Sequence, residues 1–157
     1  MHVQSTSNGK KEVTGANVLV AIFGEKDFQQ LQIVKKLVEK TELPVNIVGC
    51  PIFREENELA MSSRNERLTS EERKDASIIY KTLTEAKEIF QNHSPQETIE
   101  FVENSFKDNK EFELEYFVIA DESTLLSIDQ KENDKKYRAF IAVFVNSIRL
   151  IDTISLN

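Results

Sequence analysis

The sequence holds a single cysteine, Cys50, and two histidines, His2 and His93. One cysteine excludes an intrachain disulfide and any site built from several thiolates. Two histidines exclude a histidine-rich zinc centre. Basic residues are in deficit: 20 Lys+Arg stand against 27 Asp+Glu, for a formal net charge of −7. That balance argues against a protein that holds nucleic acid or an anionic membrane by bulk charge, although a local basic cluster could still hold a phosphate. No apolar run approaches the ~20 residues of a membrane span. The polar opening from Met1 to Lys10 lacks the apolar core of a signal peptide. A soluble, cytoplasmic protein without nucleic-acid or membrane partners is the expectation.

What is present is enough for a core. Of 157 residues, 39% are hydrophobic and 30% charged, too apolar for a wholly disordered chain. Residues 1–16 are polar, include Gly9 and Gly15, and read as a disordered tail, tag or junction. Val18–Phe23, ended by Gly24, has the length and branching of a buried strand. Leu31, Val34 and Val38, supported by Ile33 and Leu37, recur at helical spacing. Val45–Val48 follows as a second strand. Strand, helix, strand of this kind predicts a βαβ unit with parallel strands.

A polar loop runs from Gly49 to about Thr69. Thr69 and Glu72 then fit a capping box at the start of one long helix lined by Ala76, Ile79, Leu83, Ala86 and Phe90. Ser94-Pro95-Gln96-Glu97 starts another helix, with Ile99, Val102 and Phe106 on its apolar stripe. Leu114–Ala120, Ala139–Val145 and Ile148–Ile154 read as strands, the last two a hairpin across Asn146-Ser147. The fold class is α/β: a βαβ piece over residues 17–68, then a small α+β domain over 69–157 with two helices and a three-stranded antiparallel sheet. The first unit looks cut, because two parallel strands cannot cover their own faces.

Two segments could carry chemistry. Phe23–Gln30 joins a strand to a helix at the strand's carboxyl end, where open α/β sheets bind ligands. Gly24 permits close approach, the helix start offers free N–H groups, and Lys26 adds a full charge, a combination suited to a nucleotide phosphate. The alternative is plain structure, with Gly24 ending the strand and Asp27 and Gln30 capping the helix. Met61-Ser62-Ser63-Arg64-Asn65 sets paired hydroxyls beside a guanidinium, which can wrap polyphosphate oxygens; its alternative is a solvated linker. Cys50 reads as packing, and His93 as a cap on the carbonyls of the preceding helix. The phenylalanines read as core, and Lys35-Lys36 and Lys131–Lys136 as solvated faces.

Taken together, Phe23–Gln30, Val48-Gly49-Cys50-Pro51-Ile52-Phe53-Arg54-Glu55 and Leu59–Asn65 resemble the pantoate–β-alanine ligase (pantothenate synthetase) family at matching spacing. Leu68–Arg73 and Arg149-Leu150-Ile151-Asp152 fit the same pattern. The resemblance covers residues 17–157 and corresponds to the family's carboxyl-terminal half. It implies a remnant of a Rossmann-type nucleotide-binding domain over residues 17–68, with a phosphate-gripping loop. It also implies a two-step reaction: pantoate attacks Mg-ATP to give pantoyl adenylate and pyrophosphate, and β-alanine then displaces AMP to give pantothenate. ATP and Mg2+ are the implied cofactors, pantoate and β-alanine the substrates, and a homodimer the assembly the family suggests.

By motif, Gly24, Glu25, Lys26 and Asp27 would meet ATP, with Lys26 on phosphate and Asp27 on the ribose. Gln30 would hydrogen-bond pantoate, and Phe53 would meet adenine through its backbone. Met61, Ser62, Ser63 and Arg64 would form the counterpart of the synthetase KMSKS loop. The resemblance makes Lys26, Ser62, Ser63 and Arg64 the catalytic set; no residue is assigned as a metal ligand. The family's amino-terminal HxGH signature is absent from these residues, so the chain alone is expected to be inactive. Glu58 stands where glycine is common, which would stiffen the loop before Met61. A non-catalytic nucleotide-binding module and an interaction unit derived from the ligase are the competing readings.

Overall fold

The computed structural model describes residues 19–157, together with the backbone of residues 4–5 and 11–12. Gln4–Ser5 (β1) and Lys11–Glu12 (β2) pair antiparallel. The rest of the expected tail, and Val18 of the first expected strand, lie outside the described residues.

Leu19–Gly24 (β3) and Val45–Cys50 (β4) pair parallel, with Gly24 opposite Cys50 at their carboxyl ends. Between them a short 3-10 turn over Glu25–Asp27 leads into helix α1, Phe28–Thr41. The βαβ reading therefore holds. Leu19, Val20, Ile22, Ile33, Leu37, Leu43 and Val48 of this unit remain exposed.

The expected long helix is two helices. Ser70–Asp75 (α2) carries the Thr69–Glu72 capping box, and Ser77–Asn92 (α3) follows a break at Ala76. No glycine or proline marks the break. Its partner is distant: the Asn57 side-chain amide donates to the carbonyl of Arg73 at 2.6 Å and to that of Lys74 at 3.4 Å. Those oxygens would otherwise serve a continuing helix. Helix α4, Pro95–Phe106, begins with the expected Ser94–Glu97 box.

Phe112–Asp121 (β5), Tyr137–Val145 (β6) and Ile148–Ser155 (β7) form an antiparallel sheet in the order β5-β6-β7. The register shifts between Leu114 and Tyr116. One extra residue reverses the side-chain alternation, so Phe112 and the odd-numbered Phe117 and Ile119 enter the same core. That core joins one face of β6 (Ala139, Ile141, Val143) to α3 and α4 through Ile79, Leu83, Phe90 and Val102. On the opposite face Phe140 meets Phe28 of α1 with ring centroids 6.2 Å apart, and the Arg138 guanidinium lies 4.0 Å over the Phe28 ring. The sheet is thus covered on both sides, and α1 is seated against it beside the strand ends that carry the candidate residues.

His93 does cap the preceding helix, through its backbone N–H, which donates to the Ile89 carbonyl at 3.0 Å, while its ring turns away. Its Nδ1 faces Glu97 Oε1 at 3.4 Å. Lys131, expected to be solvated, donates instead to the carbonyls of Phe90 at 2.7 Å and Gln91 at 3.4 Å. A cation at a helix carboxyl end suits the dipole. Cys50 is half-buried rather than a full core residue.

Candidate functional site

The parallel pairing brings the two motif-bearing loops to one sheet edge, since each leaves the carboxyl end of its strand side by side with the other. Lys26 joins them. Its ammonium donates to the carbonyl of Ala60 at 3.1 Å and to that of Met61 at 3.4 Å. The side chain is half-buried, and desolvation pushes its pKa below the usual lysine value, with Arg64 and Arg54 adding to that fall. Asp152 and Asp27 oppose it. Its two contacts hold the side-chain nitrogen against backbone oxygens at a polar edge.

Gly24 has open space before it, for a Cβ built there meets nothing within 4 Å. Among the described residues nothing demands a glycine at this point, and the space before it is open. Asp27 makes no capping hydrogen bond, because its backbone (φ −95°, ψ 55°) departs from the extended conformation of a capping residue. The capping alternative for Asp27 therefore fails, and its carboxylate is exposed beside Lys26. Gln30, also exposed, borders a cleft of about 150 Å³ together with Lys26, Asp27, Tyr116 and Asp152. Glu25 is half-buried and packs toward Gly49.

The second loop is folded rather than a bare linker. The Phe53 carbonyl accepts from the Met61 amide at 2.9 Å, Arg54 and Ala60 form an antiparallel bridge, and the Phe53 ring is 72% exposed. Ser62 accepts the Arg64 amide at 3.1 Å, starting a 3-10 turn over Ser63–Arg67. Ser63 and Arg64 face solvent, and Arg64 Nη1 reaches the Arg149 carbonyl at 3.5 Å. Met61 is 52% exposed. Of the residues singled out by motif, Lys26, Met61 and the turn at Ser62 are thus brought together directly, while Phe53 is joined to them through the backbone.

Four supporting residues were not singled out as site residues from sequence. Arg54 grips Asp152 with both nitrogens, at 2.7 and 3.1 Å, donates to the Glu58 carbonyl at 3.0 Å, and lies 3.5 Å over the Tyr80 ring. Glu55 accepts from Arg73 at 2.7 and 3.0 Å and from the Asn65 amide at 2.6 Å. The Arg73 bonds hold the Glu55 carboxyl below its usual range. Asn65 is fully buried, and its amide also reaches the Ala60 carbonyl at 3.2 Å, the same oxygen that holds Lys26. Asp152 carried a legible signal: it occupies an inward position of β7, in phase with Ile148 and Leu150, where a charge needs a partner.

The chain matches the pantoate-beta-alanine ligase family model over residues 13–155. It is 58% identical to the pantothenate synthetase of Flavobacterium psychrophilum over 147 residues, which is 94% of this chain and 52% of that protein. The pantothenate synthetase of Bacteroides fragilis is 44% identical over 85% of the chain and 48% of its own length. The crystal structure of pantothenate synthetase from Thermus thermophilus superposes with a TM-score of 0.78 at 36% identity, covering 87% of this chain and 49% of that one. A pantoate-beta-alanine ligase from Francisella tularensis, complexed with beta-gamma ATP and beta-alanine, gives 0.55 at 28% identity over 87% of this chain and 43% of that one. The chain spans about half the length of the curated relatives it matches, their carboxyl-terminal part. By these matches and this fold, the chain belongs to the pantoate–β-alanine ligase family.

Proposed function

We propose that this chain supplies the nucleotide-gripping wall of an ATP-dependent ligase that condenses pantoate with β-alanine. Pantoate attacks the α-phosphate of ATP to give pantoyl adenylate and pyrophosphate; the β-alanine amine then displaces AMP to give pantothenate. The observation that carries the reading is the Lys26 ammonium held on the Ala60 and Met61 carbonyls, which sets both nucleotide motifs around one cation.

The donor set suits a triphosphate. Lys26 and Arg64 supply charge to phosphate oxygens, with the forked guanidinium able to take two at once. Ser62 and Ser63 add hydroxyls. Gly24 leaves room for the phosphate chain, Asp27 presents a carboxylate to the ribose, and Phe53 and Met61 border the adenine. Gln30, at the cleft with Asp152, orients pantoate. Fixed cations stabilise the charge that grows on the departing pyrophosphate, and fixed positions keep the attacking carboxylate in line with phosphorus. Mg2+ enters with the nucleotide phosphates, the usual form for this hard cation, and no residue here is assigned to it.

The exposed apolar face of β3 and α1 supports the reading that catalysis needs further structure packed there, and that the 157 residues alone do not turn over. Homodimerisation and a cytoplasmic location belong to the same proposal. Among the described residues no helix is long and apolar enough to cross a membrane.

Calorimetric titration of the chain with Mg-ATP tests the reading. The expected result is saturable binding that weakens at least roughly tenfold in Lys26→Ala, as loss of a charge-assisted contact requires. Binding unchanged by Lys26→Ala contradicts it. Absence of any nucleotide binding, with self-association intact, favours the interaction-unit reading instead.

A further inference from the structure

We propose that Asp152 is a positioning residue for the nucleotide loop: by gripping Arg54 with both carboxylate oxygens, it fixes the strap from Arg54 to Ala60 whose end carries the carbonyls that hold Lys26. The inference rests on the reading of Lys26 as a nucleotide ligand, and concerns a residue far along the chain, on the last strand.

The geometry runs in one line. Asp152 sits inward on β7, 4% exposed, and meets Arg54 at 2.7 and 3.1 Å. Arg54 is clamped further by the Tyr80 ring beneath it and by the Glu58 carbonyl. Strap residues 54 and 60 are bridged, and Ala60 and Met61 then present their oxygens to Lys26. Asp152 also borders the same cleft as Lys26 and Gln30. A two-oxygen grip on a guanidinium fixes orientation as well as distance, so the carboxylate sets where the strap lies.

Asp152 acts on Lys26 by charge too. The charged groups that bear on the ammonium are Asp152 and Asp27, which favour its protonated form, and Arg54 and Arg64, which oppose it. Glu55, on the strap, faces it as well. Breaking the pair from either side therefore loosens the strap in both cases, but changes the charge facing Lys26 in opposite senses.

The test is the pH profile of Lys26 acylation in the full 157-residue chain, read by mass spectrometry with exposed Lys36 as the internal standard. Wild type is compared with Asp152→Asn and Arg54→Met, without nucleotide. The proposal expects the high-pH plateau rate of Lys26 to rise roughly threefold or more in both variants as the strap opens. It expects the midpoint to move to lower pH in Asp152→Asn and to higher pH in Arg54→Met. A plateau unchanged in variants that keep wild-type circular dichroism overturns it, as do midpoints that move the same way. Loss of fold in both variants also overturns it, since the pair would then serve stability alone. Protection of Lys26 by Mg-ATP in wild type is read separately. If Asp152→Asn frees Lys26 while ATP fails to protect it, the positioning role stands and the nucleotide reading falls.

Discussion

Gly24 and Gly49 lie on adjacent parallel strands, one register step apart at the same sheet edge, yet meet opposite surroundings. A Cβ on Gly24 would touch nothing within 4 Å, whereas one on Gly49 would stand 2.9 Å from Leu31 Cδ2 and 3.3 Å from Glu25 Oε1. The first glycine borders open space and the second keeps space for the fold.

Alanine substitution separates them. Gly49→Ala forces the buried Leu31 side chain to move and costs about 1–3 kcal/mol, the usual range for overpacking. Gly24→Ala leaves the melting temperature unchanged and weakens Mg-ATP binding. Thermal melts and nucleotide titrations on both variants check the pair; a Gly24→Ala protein that melts early but binds normally contradicts the assignment.

Glu58 has φ 69°, in the left-handed region. A side chain there is strained by roughly 1 kcal/mol, while the bond its carbonyl accepts from Arg54 is kept by any residue. Glu58→Gly is therefore expected to raise the melting temperature by about 2–4 °C, the shift such an energy gives a domain of this size. A lower melting temperature means that loop flexibility gained in the unfolded chain outweighs the strain relieved.

Acid stability carries the mark of the α4 cap. The Ser94 backbone N–H and hydroxyl, with His93 nearby, lower the Glu97 carboxyl from 4.5 to about 2. A carboxyl whose folded pKa is depressed stabilises the fold above its unfolded value and loses that contribution as pH falls through the folded one. The Ser94→Ala variant is expected to melt below wild type at neutral pH, with the gap narrowing between about pH 4.5 and about pH 2. Denaturation curves across that window measure it; a constant gap places the effect in the cap bond that the Ser94 hydroxyl accepts from the Glu97 N–H rather than in the carboxyl.

The Asn57 amide, through its bonds to the Arg73 and Lys74 carbonyls, stabilises the break at Ala76. Asn57→Ala strands those oxygens and is expected to cost about 1 kcal/mol. Chemical denaturation reads the change, and an unaltered midpoint shows that the two helices separate for another reason.

The same residues show where sequence reading succeeds and where it stops. Strands β3, β4, β6 and β7, and both capping boxes, are local: a few consecutive side chains specify each, and they appear within a residue or two of their expected bounds. The Ala76 break escaped because its cause lies in Asn57, outside the helix. The Leu114–Tyr116 shift escaped because one extra residue leaves composition unchanged while exchanging the faces. At the candidate site, the motifs placed Lys26 and the Met61–Arg64 loop together by resemblance. The carbonyls that hold Lys26, and the Arg54–Asp152 pair behind them, are long-range contacts that no spacing rule reveals. Lys131 left its expected solvated face for the carboxyl end of α3 for the same reason.

The most direct measurement is AMP release by a chimera that joins residues 19–157 to the amino-terminal half of the Flavobacterium psychrophilum relative. The account predicts AMP formation from Mg-ATP that requires pantoate and is lost in Lys26→Ala. A folded chimera that forms no AMP, or one in which Lys26→Ala works as well as wild type, contradicts it.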